Sequence, residues 1–193
     1  MKRFWVLSCV ACLALASVAS AAVQEGDTEL ELLAGWMAQN GEDDGPDIDS
    51  FFLSGAVGYF LTDNIQVQGV AMGAWNEIDM GDGYDVDVDV YGLGARAKYH
   101  FMPSNQWVPY VGGQILWANA DLDGPDLEID EEEISLDGDA DGTLWGPVLG
   151  LRYELNAYND FYVEYQYHIW DGDIADLLDD GHGIFVGIIH QFK

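Results

Sequence analysis

Apolar and polar residues alternate with a period of two along eight segments of this chain, each at least ten residues long. Alternation with this period predicts β-strands that have two unlike faces. The strands are predicted near 28–39, 50–61, 65–76, 88–101, 107–118, 143–156, 161–170 and 183–192. Beyond the N-terminal leader no run approaches the ~18 apolar residues of a membrane-spanning helix, whereas strands of about 9–11 residues are long enough to cross a bilayer.

The two faces of the predicted strands indicate which side meets lipid. On the fourth strand one face carries Tyr91, Leu93 and Tyr99, and the other carries glycines, Arg96 and Lys98. A water-facing exterior would be rich in lysine and glutamate, whereas the interior of an eight-stranded barrel is just wide enough for its own side chains. We therefore expect the apolar face to point outward into lipid and the polar face to point into a narrow lumen.

Aromatic residues recur eight positions apart on the outward face. The three pairs are Phe51/Tyr59, Tyr91/Tyr99 and Trp145/Tyr153. At about 3.3 Å per residue and about 40° of tilt, eight residues rise roughly 20 Å, close to the ~25 Å apolar band between the aromatic girdles of an outer-membrane barrel. Packing of single rings in a soluble core does not explain three equal spacings. The fold class predicted is a closed eight-stranded antiparallel transmembrane β-barrel.

The connections and the charges divide between the two ends of this barrel. Short connections alternate with long ones, the short at 62–64, 102–106 and 157–159 and the long at 40–49, 77–87, 119–142 and 171–182. The long connections hold most of the 35 acidic residues and none of the six lysines and arginines, and the net charge is −29. Short periplasmic turns and long extracellular loops are typical of outer-membrane barrels. The acidity argues against a nucleic-acid partner, which needs a basic face.

Residues 1–21 are predicted to be a signal peptide. Lys2 and Arg3 precede an apolar run over residues 4–18, and small residues follow at 19–21. Cleavage after Ala21 leaves a barrel domain over 22–193; cleavage one residue later, or a retained membrane helix, is the alternative. Both cysteines of the chain fall inside this leader. The mature chain then has no thiol for a disulfide or a metal site.

Several segments resemble small bacterial outer-membrane β-barrel proteins, the superfamily of outer-membrane proteins A, W and X. They are 59–67 (YFLTDNIQV), 91–94 (YGLG), 109–113 (PYVGG) and the closing 184–192 (IFVGIIHQF). The resemblance implies a bacterial outer-membrane location with periplasmic termini. It also implies that the barrel-insertion machinery reads a C-terminal strand ending at Phe192. Members of this family are structural, pore-forming or adhesive, so the resemblance predicts an architecture and not an activity.

Charged residues on the inward face form the candidate site. They are Glu29, Glu31, Arg96, Lys98, Arg152, Glu154 and Glu164. Charges confined in a narrow interior must be paired or hydrated. A turn centred on Tyr158 would place Arg152 directly opposite Glu164. Two functions follow: a passive envelope-structural or surface-contact protein whose lumen is closed by an ion-pair network, or a narrow pore for ions or small solutes that opens when pairs exchange partners.

The acidic loops suggest little specific chemistry. Asp137, Asp139 and Asp141 match the first half of a calcium loop, but Val148 stands at the twelfth position, where a bidentate glutamate is required. We expect the acidic loops to be solvated. Their acidity would serve either to attract Ca²⁺ or Mg²⁺ diffusely or as an adaptation to saline surroundings. No cofactor is expected. Serines and histidines do not cluster in the sequence, so an enzyme with an activated serine is not expected either. The protein is expected to be a monomer in lipid.

Overall fold

The computed structural model describes residues 23–39, 47–79, 85–123, 127–129, 132–134, 138–176 and 180–192. Its strands are β1 Thr28–Gln39, β2 Asp47–Phe60, β3 Ile65–Asp79, β4 Asp85–His100, β5 Trp107–Asp123, β6 Leu127–Ile129, β7 Glu132–Ile134, β8 Gly138–Glu154, β9 Asn159–Gly172 and β10 Gly181–Phe192. The signal-peptide prediction lies outside the described residues and stays a prediction. Among the described residues, no helix has the length and apolar character needed to cross a membrane.

Eight of these strands close into one antiparallel barrel. Each strand pairs with its neighbours in chain order, and β10 returns to pair with β1, from Thr28 opposite Phe192 to Ala34 opposite Val186. Closure leaves the barrel without a free edge, so every strand finds its backbone partners within the sheet. The predicted fold class is confirmed. β6 and β7 form a separate two-stranded sheet inside the longest connection.

The predicted faces are confirmed by burial. On β4 the side chains of Arg96 and Lys98 are buried inside the barrel, and Tyr91, Leu93 and Tyr99 are exposed on its outer wall. The same alternation runs along β9 and β10. The outer wall is therefore apolar and aromatic, and the interior holds the polar face.

The strands reach further toward the long connections than predicted. β5 continues to Asp123 and β8 begins at Gly138, although 119–142 was expected to be a loop. Acidic residues face each other there, with Asp121 opposite both Asp89 and Asp139. Backbone ladder bonds form whatever the side chain is, so pairing continues where the hydrophobic pattern stops. Parts of the expected loops at 40–49 and 77–87 lie outside the described residues.

The interior has two layers. Toward the long connections most inward residues are apolar, including Phe52, Val88, Leu116, Leu144 and Phe185 of one buried cluster, although Ser50 and His168 are also buried at this end. A short 3₁₀ turn, Asp173–Asp176, adds the buried side chain of Ile174 to this layer. Toward the short turns most inward polar side chains are charged or carry amides, and Phe60, Val108, Tyr110 and Tyr162 are buried in the same layer. The sequence-predicted charges all belong to this second layer.

Candidate functional site

The candidate site is the polar layer of the lumen. Its charged members come from strands spread around the whole barrel: Glu29 and Glu31 on β1, Arg96 and Lys98 on β4, Arg152 and Glu154 on β8, and Glu164 on β9. All seven predicted residues are at least nine-tenths buried. Because residues two apart share a face, each strand contributes its charges as a stack along the barrel axis. The ion-pair partners of these charges lie on other strands, across the lumen.

One group of ions joins β1, β4 and β9. The Nζ of Lys98 lies 2.8 Å from Glu31 Oε2 and 3.2 Å from Glu164 Oε2. Arg96 Nη1 lies 3.1 Å from Glu164 Oε1. Lys98 Nζ also sits 4.6 Å from the ring centroid of Tyr110, whose hydroxyl donates to Glu164 Oε2 at 2.8 Å. Glu164 therefore receives hydrogen bonds on both oxygens, as a buried carboxylate requires.

A second group of ions is centred on Arg152. Its guanidinium donates to both oxygens of Glu29, at 2.6 and 3.1 Å, and its Nε donates to Asp160 Oδ2 at 2.6 Å. The three side chains are wholly shielded from solvent. This bidentate geometry is the strongest arrangement that an arginine and a carboxylate can form. The group lies nearest the short turn between β8 and β9.

Glutamines connect the two groups. Gln66 Nε2 donates to Glu29 Oε2 at 2.8 Å, Gln68 donates to Glu31, and Gln68 Nε2 donates to Gln66 Oε1 at 3.1 Å. On the other side Gln114 accepts from Arg96 and donates to Gln166. Neutral amides can donate and accept at once. They therefore link the carboxylates and cations of the two groups without adding charge.

The predicted pair of Arg152 and Glu164 is wrong. Arg152 lies opposite Tyr162, and Glu164 lies opposite Gly150. The connection between β8 and β9 comprises residues 155–158, and Leu155 N and Asn156 N both donate to Asn159 O. That geometry centres the hairpin one residue earlier and shifts each pairing by two. Arg152 and Glu164 consequently belong to the two different ion groups.

Sequence reasoning missed Asp160, the second partner of Arg152. Asp160 lies on the same inward face of β9 as Glu164, four residues earlier. Extending the predicted strand by one residue, to Asp160, would have identified it. It lies opposite Glu154, which is buried on the same interior face. The buried glutamines were also missed, because a charge-based search passes over neutral amides.

No metal centre is formed by the described residues: they contain no group of three or more His, Cys, Asp or Glu side chains that could hold an ion. Asp137 lies outside the described part. Asp139 and Asp141 belong to β8, opposite Asp121 and Asn119. Successive acids on an extended strand do not curl around a cation as a calcium loop does.

A closed barrel with an apolar outer wall and a charged interior has the architecture of an outer-membrane β-barrel protein. A family model described as the outer membrane protein beta-barrel domain matches residues 8–192. The chain belongs to this family. No curated protein matches the chain.

Solved structures with the same fold include three bacterial surface barrels. They are the N-terminal β-barrel domain of Pseudomonas aeruginosa OprF (17% identity, TM-score 0.52, 88% of this chain and 99% of that chain), Neisserial surface protein A (15%, 0.57, 86% and 96%), and Ail, the attachment invasion locus protein of Yersinia pestis (16%, 0.52, 87% and 99%). At these identities the likeness shows the fold alone.

Family membership places the barrel in the bacterial outer membrane. In this family of folds the short turns face the periplasm and the longer loops face outward. The charged layer of the lumen is thus periplasmic and the apolar layer is extracellular. The exposed aromatic residues of the outer wall lie in lipid or at its two interfaces.

Proposed function

We propose that this protein is a passive, non-conducting barrel that serves envelope structure or surface contact. The observation that carries the proposal is the filling of the lumen, by paired charges in its periplasmic half and by packed apolar side chains in its extracellular half. An ion path needs hydrated space along its whole length. The described side chains of both layers would have to move apart to open such a path.

The apolar layer is the stronger barrier of the two. Val88 and Val90 on β4 and Leu144 on β8 belong to the same buried cluster as Phe52 and Phe185, whose ring centroids lie 4.8 Å apart. Hydrophobic constrictions exclude ions by expelling water. The paired charges below would then act as a structural network that ties strands on opposite sides of the barrel together.

The rival function is a narrow pore for ions or small solutes. It is favoured by Lys98, which contacts both Glu31 and Glu164 and could move between them without losing every partner. Such an exchange would open only the periplasmic half. A pore would also require water to enter the apolar layer, so we rank this function second.

Single-channel recording on refolded protein tests the proposal. We expect no steady conductance, including from the variant Glu164→Gln, because that change leaves the apolar layer intact. Folding is checked by mobility in unheated SDS, which should differ from that of the boiled sample because a closed barrel resists unfolding. Steady conductance that changes in selectivity with Glu164→Gln would overturn the passive role and establish the pore.

The remaining partners are proposed from the same architecture. The chain would enter the membrane through insertion machinery that reads β10 up to Phe192, after loss of a signal peptide over residues 1–21. The acidic loops would attract Ca²⁺ or Mg²⁺ diffusely. We expect a monomer in lipid that has neither enzymatic activity nor a cofactor, and an outer surface that contacts other molecules through its loops.

A further inference from the structure

The ladder of backbone pairings between β8 and β9 is interrupted part-way along the barrel wall. The same register holds on both sides of the gap, from Trp145 opposite Ile169 to Val148 opposite Gln166. The two pairings between them are missing, although the structure describes all four residues concerned. β8 keeps its pairing with β5 at this level, and β9 keeps its pairing with β10 over 159–168. The gap therefore belongs to one strand interface and not to a distorted strand.

Pro147 explains the gap. A proline has no N–H, so Pro147 cannot donate to the carbonyl of Tyr167, which the register places opposite it. Within sheets, proline is confined to edge strands, strand ends and bulges, and a closed barrel has no edge. The other proline of a described barrel strand, Pro109 on β5, lies near the periplasmic end, where its carbonyl accepts from Phe101 N just beyond β4. Pro147 lies instead two residues from the girdle residue Trp145, on its membrane side.

The lipid environment makes this gap costly. Pro147 is exposed on the outer wall, and the hydrocarbon core holds no water that could satisfy a backbone carbonyl. The two backbones approach closely here, because a Cβ added at Gly146 would lie 1.9 Å from Tyr167 O. Only glycine fits at that position, and its Cα–H contact is weaker than an N–H hydrogen bond. β8 consequently holds β9 less firmly here than at a fully bonded pair.

On the inner side of the wall, four side chains form a closed ring of hydrogen bonds. Arg96 Nη2 donates to Gln114 Oε1 at 2.7 Å, and Gln114 Nε2 donates to Gln166 Oε1 at 3.1 Å. Gln166 Nε2 donates to Glu164 Oε1 at 2.7 Å, and Arg96 Nη1 donates to the same oxygen at 3.1 Å. All four side chains are buried in the lumen. The ring thus joins β4, β5 and β9.

This ring passes behind β8 at the level of the gap. Gln114 on β5 lies opposite Gly146, and Gln166 on β9 lies opposite Val148. Because β8 stands between β5 and β9, the hydrogen bond between the two glutamines ties those strands together across it. Gly146 occupies an inward position without a side chain, which leaves room for that bond. The tie therefore lies at the place where the ladder itself is weakest.

We propose that β8 and β9 form a seam that opens locally within the membrane, and that the ring of Arg96, Gln114, Gln166 and Glu164 is the strap that keeps it shut. Opening would part the two strands at 146–147 and 167–168. The rival pore requires an opening along the barrel axis, so the two motions are distinct.

Amide hydrogen exchange of the refolded barrel in bilayer nanodiscs, followed by NMR, tests the proposal, because exchange of a protected amide reports its local opening. Pro147→Val supplies the missing donor and should slow exchange over 165–169 about tenfold, the ratio expected for one ordinary hydrogen bond. Gln166→Leu cuts the strap and should accelerate the same amides about tenfold. Adding Pro147→Val to Gln166→Leu should return them toward the wild-type rate.

Two matched controls place the same substitutions elsewhere. Pro109→Val, near the periplasmic end of β5, should leave exchange over 165–169 unchanged. Gln68→Leu removes a buried glutamine of β3 that bonds to Glu31 and Gln66, and it should leave those amides unchanged as well. The mobility shift in unheated SDS checks that every variant is folded.

Two results would overturn the proposal. Unchanged exchange over 165–169 in Pro147→Val would remove the seam, because the missing donor would then not govern the opening. Equal acceleration by Gln166→Leu and Gln68→Leu would remove the strap, since the loss of any buried amide would then act through overall stability. Neither part depends on a closed lumen, so a conducting barrel would leave both standing.

Discussion

Arg152 shows how much a single buried ion depends on its partners. It holds Glu29 by two hydrogen bonds and also contacts Asp160, in a place from which solvent is excluded. A buried ion pair is weak evidence of net stability, because desolvation offsets the attraction between the charges. Removing one partner is nevertheless costly, since the other charge remains buried.

Double-mutant cycles on Arg152 test which carboxylates it contacts. Arg152→Gln should lower the free energy of unfolding by about 3–5 kcal/mol. With Glu29→Gln as the second change, we expect the two losses to be non-additive by ~1–3 kcal/mol. With Glu164→Gln they should be additive to within ~0.5 kcal/mol. The free energies are measured by urea unfolding of the refolded barrel. Strong coupling to Glu164 and none to Glu29 would contradict the register of β8 and β9.

At the scale of the strand, the barrel extends above the membrane by pairing acid with acid. Asp121 lies between Asp89 and Asp139, one on each neighbouring strand. Like charges directly opposite each other are destabilising. The described part of the wall provides no exposed lysine or arginine side chain to offset them. These strand ends therefore hold together through the backbone ladder and through the ions of the surrounding solution.

Neutralising the middle acid should stabilise the barrel. Asp121→Asn relieves two cross-strand repulsions, each worth ~0.2–1 kcal/mol, and should raise the urea midpoint at low salt. The gain should shrink in 1 M salt, where the screening length falls to about 3 Å. Asp171→Asn is the control, because the exposed Asp171 lies opposite Thr143. An equal gain from both variants would show that net charge matters and the register does not.

At the scale of the whole molecule, the two ends of the barrel differ in the side chains that line the lumen, in the charge of the strand ends and in the length of the connections. The short-turn end carries the buried ions, and the long-loop end carries the apolar lumen, the acidic strand ends and the separate β6–β7 sheet. This asymmetry gives the barrel one orientation in the membrane, because outer-membrane barrels turn their longer loops outward.

Labelling of intact cells checks that orientation. An epitope inserted between β6 and β7 should bind antibody without permeabilisation, since this sheet belongs to the longest connection. The same epitope in the turn at 102–105 should be labelled only after the outer membrane is opened. The reverse pattern would mean that the charged half of the lumen faces the cell exterior.

The sequence by itself determined the local features. Period-two alternation predicted the eight strands of the barrel, their two faces and the interior position of Arg96, Lys98 and Glu164, because the pleat of a strand assigns each side chain to a face. Aromatic spacing and the division of charge between the ends indicated the membrane. These are properties of neighbouring residues, so no tertiary contact is needed to see them.

Only the tertiary structure decided which charges meet. Arg152 contacts Glu29, 123 positions away, and Arg96 contacts Glu164, 68 positions away. Such pairs depend on closure of the barrel and on the register of every hairpin, and a hairpin centred one residue earlier moves each pairing by two. Alternation fixes the face of a residue, and closure fixes its neighbours.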